Sequence, residues 1–165
     1  LRVTLLIKAF IKSLNPSEQG EMNRVNGKKR KMLFPVWKFD ARMAIGIGDA
    51  DTIRTSLGRS NGDAFVLSGR MLDDLKDKKQ SIGIATPDDY IHELQTELVL
   101  LDFIISRMTA LQSEVICYKL LGFTETDIAN ELNINQSAVN QRSNSAGWNA
   151  INALVQRFET IYANG

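Results

Sequence analysis

Apolar residues recur at helical spacing through the second half of this 165-residue chain, and this pattern constrains the fold more than any other feature. One apolar stripe runs along residues 88–108, and another runs along residues 148–162. The residues that we expect to face a core are Leu94, Leu98, Leu101, Ile104, Ile105 and Met108, then Trp148, Ile151, Leu154, Val155, Phe158, Ile161 and Tyr162. Such spacing is typical of amphipathic helices. We therefore predict an all-helical second half.

Capping signals divide this half into shorter helices. Thr109 and Gln112 have the spacing of a capping box, and Thr124 begins another helix in the same way. Gly122 suits the end of a helix over residues 110–121, because glycine readily adopts the left-handed conformation found there.

The segment over residues 124–146 has the pattern of a helix-turn-helix. Its expected inward-facing residues are Ile128, Ala129, Leu132, Ile134 and Val139. Asn133 tolerates the positive φ that the turn requires, although glycine is commoner there. Asn135 is a suitable N-cap for the second helix, which begins at Gln136.

The first half predicts a mixture of helices and strands. Helical spacing over residues 1–14 ends at Asn15-Pro16, and residues 39–47 alternate between apolar and polar as a strand does. The remaining predicted elements are a loop or hairpin tip over 23–31, a helix over 63–76 and a strand over 81–85. A strand, a helix and a strand with helices alongside is an α+β pattern.

The net charge of +1 conceals two halves of opposite charge. Residues 1–87 hold 16 Lys and Arg against 9 Asp and Glu, whereas residues 88–165 hold 4 against 10. Thr86 and Pro87, followed by two Asp, also have the pattern of a helix start. We therefore predict a domain boundary between residues 87 and 88.

Composition excludes several classes of protein. The single cysteine, Cys117, excludes a disulfide framework and a multi-cysteine zinc site, and its neighbours predict a place in the core. Apolar runs are far shorter than the ~20 residues that a bilayer-spanning helix needs. We expect no membrane segment, no cofactor and a cytoplasmic location. Because the chain opens on Leu1 rather than Met, we expect the gene product to extend further at its N-terminus.

The helical half resembles the C-terminal regions of sigma factors and LuxR-type regulators, and over a longer stretch it resembles the SatD family of bacterial proteins. The second resemblance is carried by residues 134–142 (Ile-Asn-Gln-Ser-Ala-Val-Asn-Gln-Arg) and 146–148 (Ala-Gly-Trp). In the first half, residues 42–48 resemble the family's central strand, and residues 61–65 and 68–76 resemble the helix after it.

This resemblance implies an α+β protein in two parts. Residues 1–87 would be an incomplete ferredoxin-like, palm-like domain related to nucleotide cyclases, and residues 88–165 would be the helix-turn-helix domain. The family's early strand and acidic hairpin, which would hold metal-binding carboxylates, are expected before residue 1. We therefore predict no catalytic residue, no metal ligand and no enzymatic activity for this chain. The implied role is that of a bacterial transcriptional regulator that binds double-stranded DNA.

The second helix of a helix-turn-helix enters the major groove, which assigns DNA contacts to its outer face. The candidate DNA-binding residues are Gln136, Ser137, Asn140, Gln141, Arg142 and Asn144. Asn and Gln make bidentate contacts with adenine, and Arg reaches a phosphate or a guanine. The alternative is that these side chains are merely solvated. The helix-turn-helix would then serve protein interaction or dimerisation, attached to a vestigial cyclase-like or nucleotide-sensing domain.

Two features weigh against DNA binding by the helical half alone. Residues 109–165 carry a net charge of −2, whereas non-specific affinity comes from cations that neutralise phosphates. Ser143 also lies at an inward position where relatives usually carry Leu. We expect the basic first half or a homodimer to supply the missing charge. A dimer through the long helices would suit a palindromic site, and packing within one chain remains the alternative.

Other chemistry-bearing residues have simpler explanations. We interpret residues 28–31 as a solvated hairpin tip rather than a phosphate contact, and His92 as a surface or interface histidine. The carboxylates interpreted as loop or helix-start residues rather than metal ligands are Asp49, Asp51 and Asp63. A pocket near residues 46–51, lined by Arg54 and Arg59, would instead indicate nucleotide sensing.

Overall fold

The computed structural model describes residues 1–15, 24–25, 28–29, 39–48, 62–87 and 91–162. Its elements in chain order are α1 (Arg2–Ser13), β1 (Arg24–Val25), β2 (Lys28–Lys29), β3 (Met43–Gly46), α2 (Asp63–Asp77), β4 (Ile82–Ala85), α3 (Ile91–Arg107), α4 (Ala110–Leu120), α5 (Glu125–Glu131), α6 (Gln136–Ser145) and α7 (Trp148–Tyr162). The described part is mostly helical with a small parallel sheet, which is consistent with the predicted α+β class. None of the described helices is both long and apolar enough to cross a membrane.

The chain forms two compact units. Unit 1 comprises residues 1–40 and 107–165, and unit 2 comprises residues 41–106. This division differs from the predicted boundary between residues 87 and 88, which lies inside unit 2.

The first helix accounts for the difference, because α1 packs against α4 of the helical half. Its buried Leu5 and Ala9 belong to the core of unit 1. The Arg2 guanidinium binds both carboxylate oxygens of Glu159 on α7, at 2.7 and 2.9 Å, and also donates to the carbonyl of Leu120. An amphipathic sequence shows that α1 buries one face, but it does not show which helix that face contacts.

The short antiparallel pair of β1 and β2 also belongs to unit 1. It agrees with the predicted hairpin tip over residues 23–31. Residues 30–31, which complete the basic run, lie outside the described residues.

A parallel pair of strands forms the centre of unit 2. The register of β3 and β4 runs from Met43 beside Ile82 to Gly46 beside Ala85. Helix α2 connects the two strands along the chain and packs on both of them. On α3, the Asp102 carboxylate accepts hydrogen bonds from the Ser81 amide, at 2.8 Å, and from the Ser81 hydroxyl, just before β4 begins.

Strand β3 is shorter than the predicted strand over residues 39–47. The Asn15 side chain hydrogen-bonds to both backbone polar groups of Phe39. It donates to the Phe39 carbonyl at 3.0 Å and accepts from the Phe39 amide at 2.6 Å. The next residue, Asp40, pairs at 2.9 Å with Lys8, whose side chain is only 2% exposed. Residues 39–40 therefore bind to Asn15 and to Lys8 of α1 instead of extending the strand, and Phe39 is 58% exposed.

The other predicted elements agree closely with the structure. The helix predicted over residues 63–76 is α2, which buries Met71 and Leu75 and leaves Leu72 exposed. The helix predicted over residues 88–108 is α3, which the structure describes from Ile91. Three leucines of its expected apolar stripe, Leu94, Leu98 and Leu101, are buried. Residues 88–90 lie outside the described part.

Close packing of α2 on β3 requires a glycine at position 46. A Cβ atom there would collide with the Ala64 carbonyl and lie 2.8 Å from the Ser68 amide nitrogen, both of which are backbone atoms of α2. Backbone cannot yield as a flexible side chain does, so a larger residue must separate the helix from the strand. Gly69, on the exposed face of the same helix, has no atom within 4 Å of its Cβ position.

We expect Gly46→Ala to destabilise unit 2 by about 1–3 kcal/mol through overpacking. Gly69→Ala should stabilise it by about 0.5–1 kcal/mol, because alanine loses less backbone entropy in a helix. Amide hydrogen exchange at β3 and β4 measures both effects. Equal protection in the two variants would contradict this account of the packing.

Candidate nucleic-acid interface

Helix α5 begins with a capping box, as predicted. The Thr124 hydroxyl accepts from the Asp127 amide at 3.2 Å, and the Asp127 carboxylate accepts from the Thr124 amide at 3.1 Å. The side chain of Asn135 caps α6 by accepting from the Ala138 amide at 2.7 Å. These bonds satisfy amide groups that have no partner within their own helices.

The turn between α5 and α6 depends on Asn133, which has a φ of 50°. The amide of the following residue, Ile134, returns to the carbonyl of Ala129 at 3.0 Å. The predicted positive φ at Asn133 is therefore confirmed.

A buried cluster joins the helix-turn-helix to α4. Its members are Val115, Ile128, Ala129 and Val139, with Tyr118, Leu132 and Ile134 packed against them. The predicted inward-facing residues of the helix-turn-helix are confirmed. Val115 of α4 also belongs to this cluster, which the sequence analysis did not predict. Ser143 is also buried, and its hydroxyl donates to the Asn140 carbonyl at 3.1 Å within the same helix.

The candidate DNA-binding residues lie together on the outer side of α6. Five of them are exposed, namely Gln136, Ser137, Asn140, Gln141 and Asn144, whereas Arg142 is partly buried. Val139 and Ser143 are the residues of this helix that are buried. Anchoring through these two positions leaves a polar surface, and we name the five exposed residues the α6 face.

Two amides of the α6 face are already bonded to each other. The Asn144 Nδ2 donates to the Asn140 Oδ1 at 2.9 Å, one helical turn apart. The bond fixes which end of the Asn140 amide points toward Asn144.

The sequence analysis missed an ion pair between α4 and α5, near this face. Lys119 Nζ of α4 lies 3.0 Å from Glu125 Oε1 of α5, and the two side chains are 13% and 26% exposed. The same ammonium lies 6.0 Å from the centre of the Trp148 ring. Lys119 and Glu125 are six positions apart and lie on different helices, so no helical spacing could have indicated the pair.

The pKa of Glu125 is lowered by its surroundings. The main cause is the hydrogen bond from Lys119, and the side chains of Asn140 and Gln136 add smaller hydrogen-bond contributions. Glu125 is thus ionised at neutral pH.

The charge of unit 1 differs from that of the helical half. Residues 1–40 hold nine Lys and Arg against three Asp and Glu, and residues 107–165 hold four against five, which gives unit 1 a net charge of +5. Unit 2 has a net charge of −4, from seven basic and eleven acidic residues. The excess of basic residues therefore belongs to the unit that contains the helix-turn-helix.

The other candidates form no evident site in the described residues. Within that part of the chain, no three His, Cys, Asp or Glu side chains gather as metal ligands. His92 is exposed and adjoins a cavity of about 260 Å³ in unit 2. Cys117 is buried, as predicted, and burial raises the pKa of its thiol to about 11. The candidates outside the described residues are Asp49, Asp51, Arg54 and Arg59.

Comparison with known proteins identifies no relative. No family model matches the chain, and no curated protein or solved structure matches it either.

The Lys119–Glu125 pair should make the stability of the folded protein depend on pH. Because the pKa of Glu125 is lowered in the folded state, its contribution is present above the ordinary value of 4.5 and is lost as the pH falls through the folded value. We expect Glu125→Gln to lower stability at pH near 7 and to have little effect below both pKa values.

Urea unfolding across this pH range measures the effect, with Glu131→Gln as the matched control. Glu131 is exposed at the other end of α5, so its replacement makes the same charge change without the ion pair. Wild-type protein retains other acid sensitivity, since the pKa values of Asp127 and Glu159 are also lowered by hydrogen bonds. A loss in Glu125→Gln that is the same at every pH would contradict the prediction.

Proposed function

We propose that this chain is a transcriptional regulator of bacterial type that binds double-stranded DNA through α6. The observation that carries the proposal is the α6 face, a row of exposed polar side chains on the second helix of a helix-turn-helix whose other side is anchored by Val139 and Ser143. A helix of this kind fits the major groove of B-form DNA.

The chemistry of the α6 face suits contacts with base edges. Gln and Asn side chains each offer one donor group and one acceptor, and Ser137 offers a hydroxyl that serves either role. Arg142, at the margin of the face, can reach a phosphate or a guanine.

The charge of unit 1 supports the same proposal. A net charge of +5 provides the electrostatic attraction that the helical half lacks by itself. Lys119, Arg2 and Lys8 are each paired with a carboxylate, so we propose that phosphate contacts depend on Arg142 and on the other basic residues of the first 40 positions.

Selection from a random duplex library with the full chain tests this function. We expect an enriched motif whose affinity falls steeply with salt concentration. Arg142→Gln should reduce the salt slope by about one, because one phosphate contact is lost. The matched control is Arg157→Gln, which removes a charge from the exposed surface of α7 and should leave the slope nearly unchanged.

Absence of any enriched motif, with no binding even at low salt, would overturn the proposal. An enriched motif with identical salt slopes in the two arginine variants would remove Arg142 from the interface.

A second candidate function is dimerisation of unit 1, and an exposed apolar row on α1 favours it. Val3, Ile7, Phe10 and Leu14 are all exposed, at successive spacings of four, three and four residues. These spacings are the same in both directions along the helix. The exposed apolar residues of two antiparallel copies of α1 would therefore lie opposite each other. A groove of about 510 Å³ between α1 and α4, lined in part by Leu121, continues the apolar surface.

Sedimentation equilibrium tests dimerisation. We expect wild-type protein to be a dimer and Phe10→Glu to be a monomer, because a buried unpaired carboxylate opposes association. Val66→Glu, at an exposed apolar position of unit 2, serves as the control and should remain a dimer. A wild-type monomer at all concentrations would exclude this candidate.

We further propose that residues 1–87 include an incomplete palm-like domain, as the SatD resemblance implies, and that the protein is cytoplasmic and has no enzymatic activity. The order β3, α2, β4 within these residues supports the palm-like assignment.

A further inference from the structure

The groove between α1 and α4 has a volume of about 510 Å³, and the residues that line it belong to unit 1. Both helices contribute apolar or aromatic walls, made by Leu6, Ile7, Phe10, Cys117, Tyr118 and Leu121. Two polar residues, Ser13 and Glu114, complete the lining. Small-molecule sites have volumes of this size and the same composition, in which a few polar groups in an apolar surface fix the orientation of the ligand.

The two polar residues lie toward one end of the groove. Arg2 begins α1, and its guanidinium donates at 3.3 Å to the carbonyl of Leu120, the last residue of α4. The two helices therefore run in opposite directions, which brings the end of α1 near the start of α4. Ser13 is the last residue of α1, and Glu114 lies in the first half of α4. The groove thus has a polar end and an apolar remainder.

The polar end offers acceptors and a negative charge. The Ser13 hydroxyl already donates its single proton to the Phe10 carbonyl, at 2.7 Å, so that its oxygen can only accept. Glu114 supplies a carboxylate that belongs to none of the ion pairs found among the described residues. Among the described residues that line the groove, none is a Lys, Arg or His. A ligand must therefore bring the positive charge that complements Glu114.

The remainder of the groove suits the apolar part of such a ligand. Phe10 and Tyr118 supply aromatic rings, and the faces of aromatic rings attract organic cations. An uncharged apolar occupant would instead cover Glu114 without giving its carboxylate a partner, which costs free energy. The same cost applies to a second copy of α1, because its exposed apolar row carries no charge.

We propose that the groove between α1 and α4 binds a small organic cation with an apolar body. The charged group of the ligand pairs with Glu114, and its apolar part lies between the two helices. The groove shares no residue with the α6 face, so this inference goes beyond the proposed binding of DNA and does not rest on it.

Titration of the labelled full chain with benzyltrimethylammonium, followed by nuclear magnetic resonance, tests the site. Neopentylbenzene is the matched probe, because it has the same shape and no charge. We expect the ammonium compound to cause saturable shifts at Leu6, Cys117 and Leu121, and to bind about fivefold more tightly than neopentylbenzene. This comparison uses the wild-type chain, so a folding defect in a variant does not prevent the test.

Glu114→Gln removes the charge of the groove and keeps the size of the side chain. We expect this variant to bind benzyltrimethylammonium about fivefold more weakly than wild type, and to bind neopentylbenzene nearly as well. Glu131→Gln is the matched control, since Glu131 is exposed on α5 and does not line the groove. It should bind both probes as the wild type does.

Equal affinities of the wild type for the two probes, or an unchanged affinity of Glu114→Gln for the ammonium compound, would overturn the inference. Absence of saturable shifts at the groove would overturn it as well. Groove signals that change with protein concentration but not with the cation would assign the groove to a contact between two copies of the chain. Cation binding by a chain that enriches no DNA motif would overturn the proposed function and support this inference.

Discussion

The burial of Val139 against α4 and α5 determines the rest of the helix-turn-helix. Together with Val115, Ile128 and Ala129 it fixes the rotation of α6 about its own axis, because a helix that buries one side must expose the other. Ala129 permits the close approach, and Asn133 supplies the reversal of the chain between the two helices. The polar surface of α6 is thus a consequence of packing on the opposite side.

Local features of this region could be predicted from the sequence. A side-chain cap such as Thr124 or Asn135 acts within three residues, so its partner is known as soon as the helix start is known. The conformation of Asn133 is equally local, since few residues other than Gly and Asn adopt positive φ at low cost. The inward placement of Ser143 follows from helical spacing, four residues after Val139.

Features that join distant parts of the chain could not be predicted in this way. The bidentate pair of Arg2 and Glu159 spans nearly the whole sequence, and nothing in either residue's neighbourhood indicates the other. Asn15 binds both backbone polar groups of Phe39, a contact that competes with strand pairing, and the strand begins later than predicted, at Met43. The ion pair of Lys119 and Glu125 depends on the angle between two helices. In each case, the two partners lie on different elements, and periodicity does not identify them.

The N-terminal helix is separated in the sequence from the helices against which it packs, so unit 1 is a discontinuous domain with unit 2 inserted within it. During synthesis, α1 emerges long before α4, the helix against which its buried residues Leu5 and Ala9 pack. Unit 2 is continuous in the sequence, and α2 packs on both of its described strands, so it can fold earlier. A fragment cut between residues 87 and 88 would separate α1 from α4 and leave the partner surfaces of both helices open to water. Dissection of this protein therefore requires that both ends of the chain be kept together.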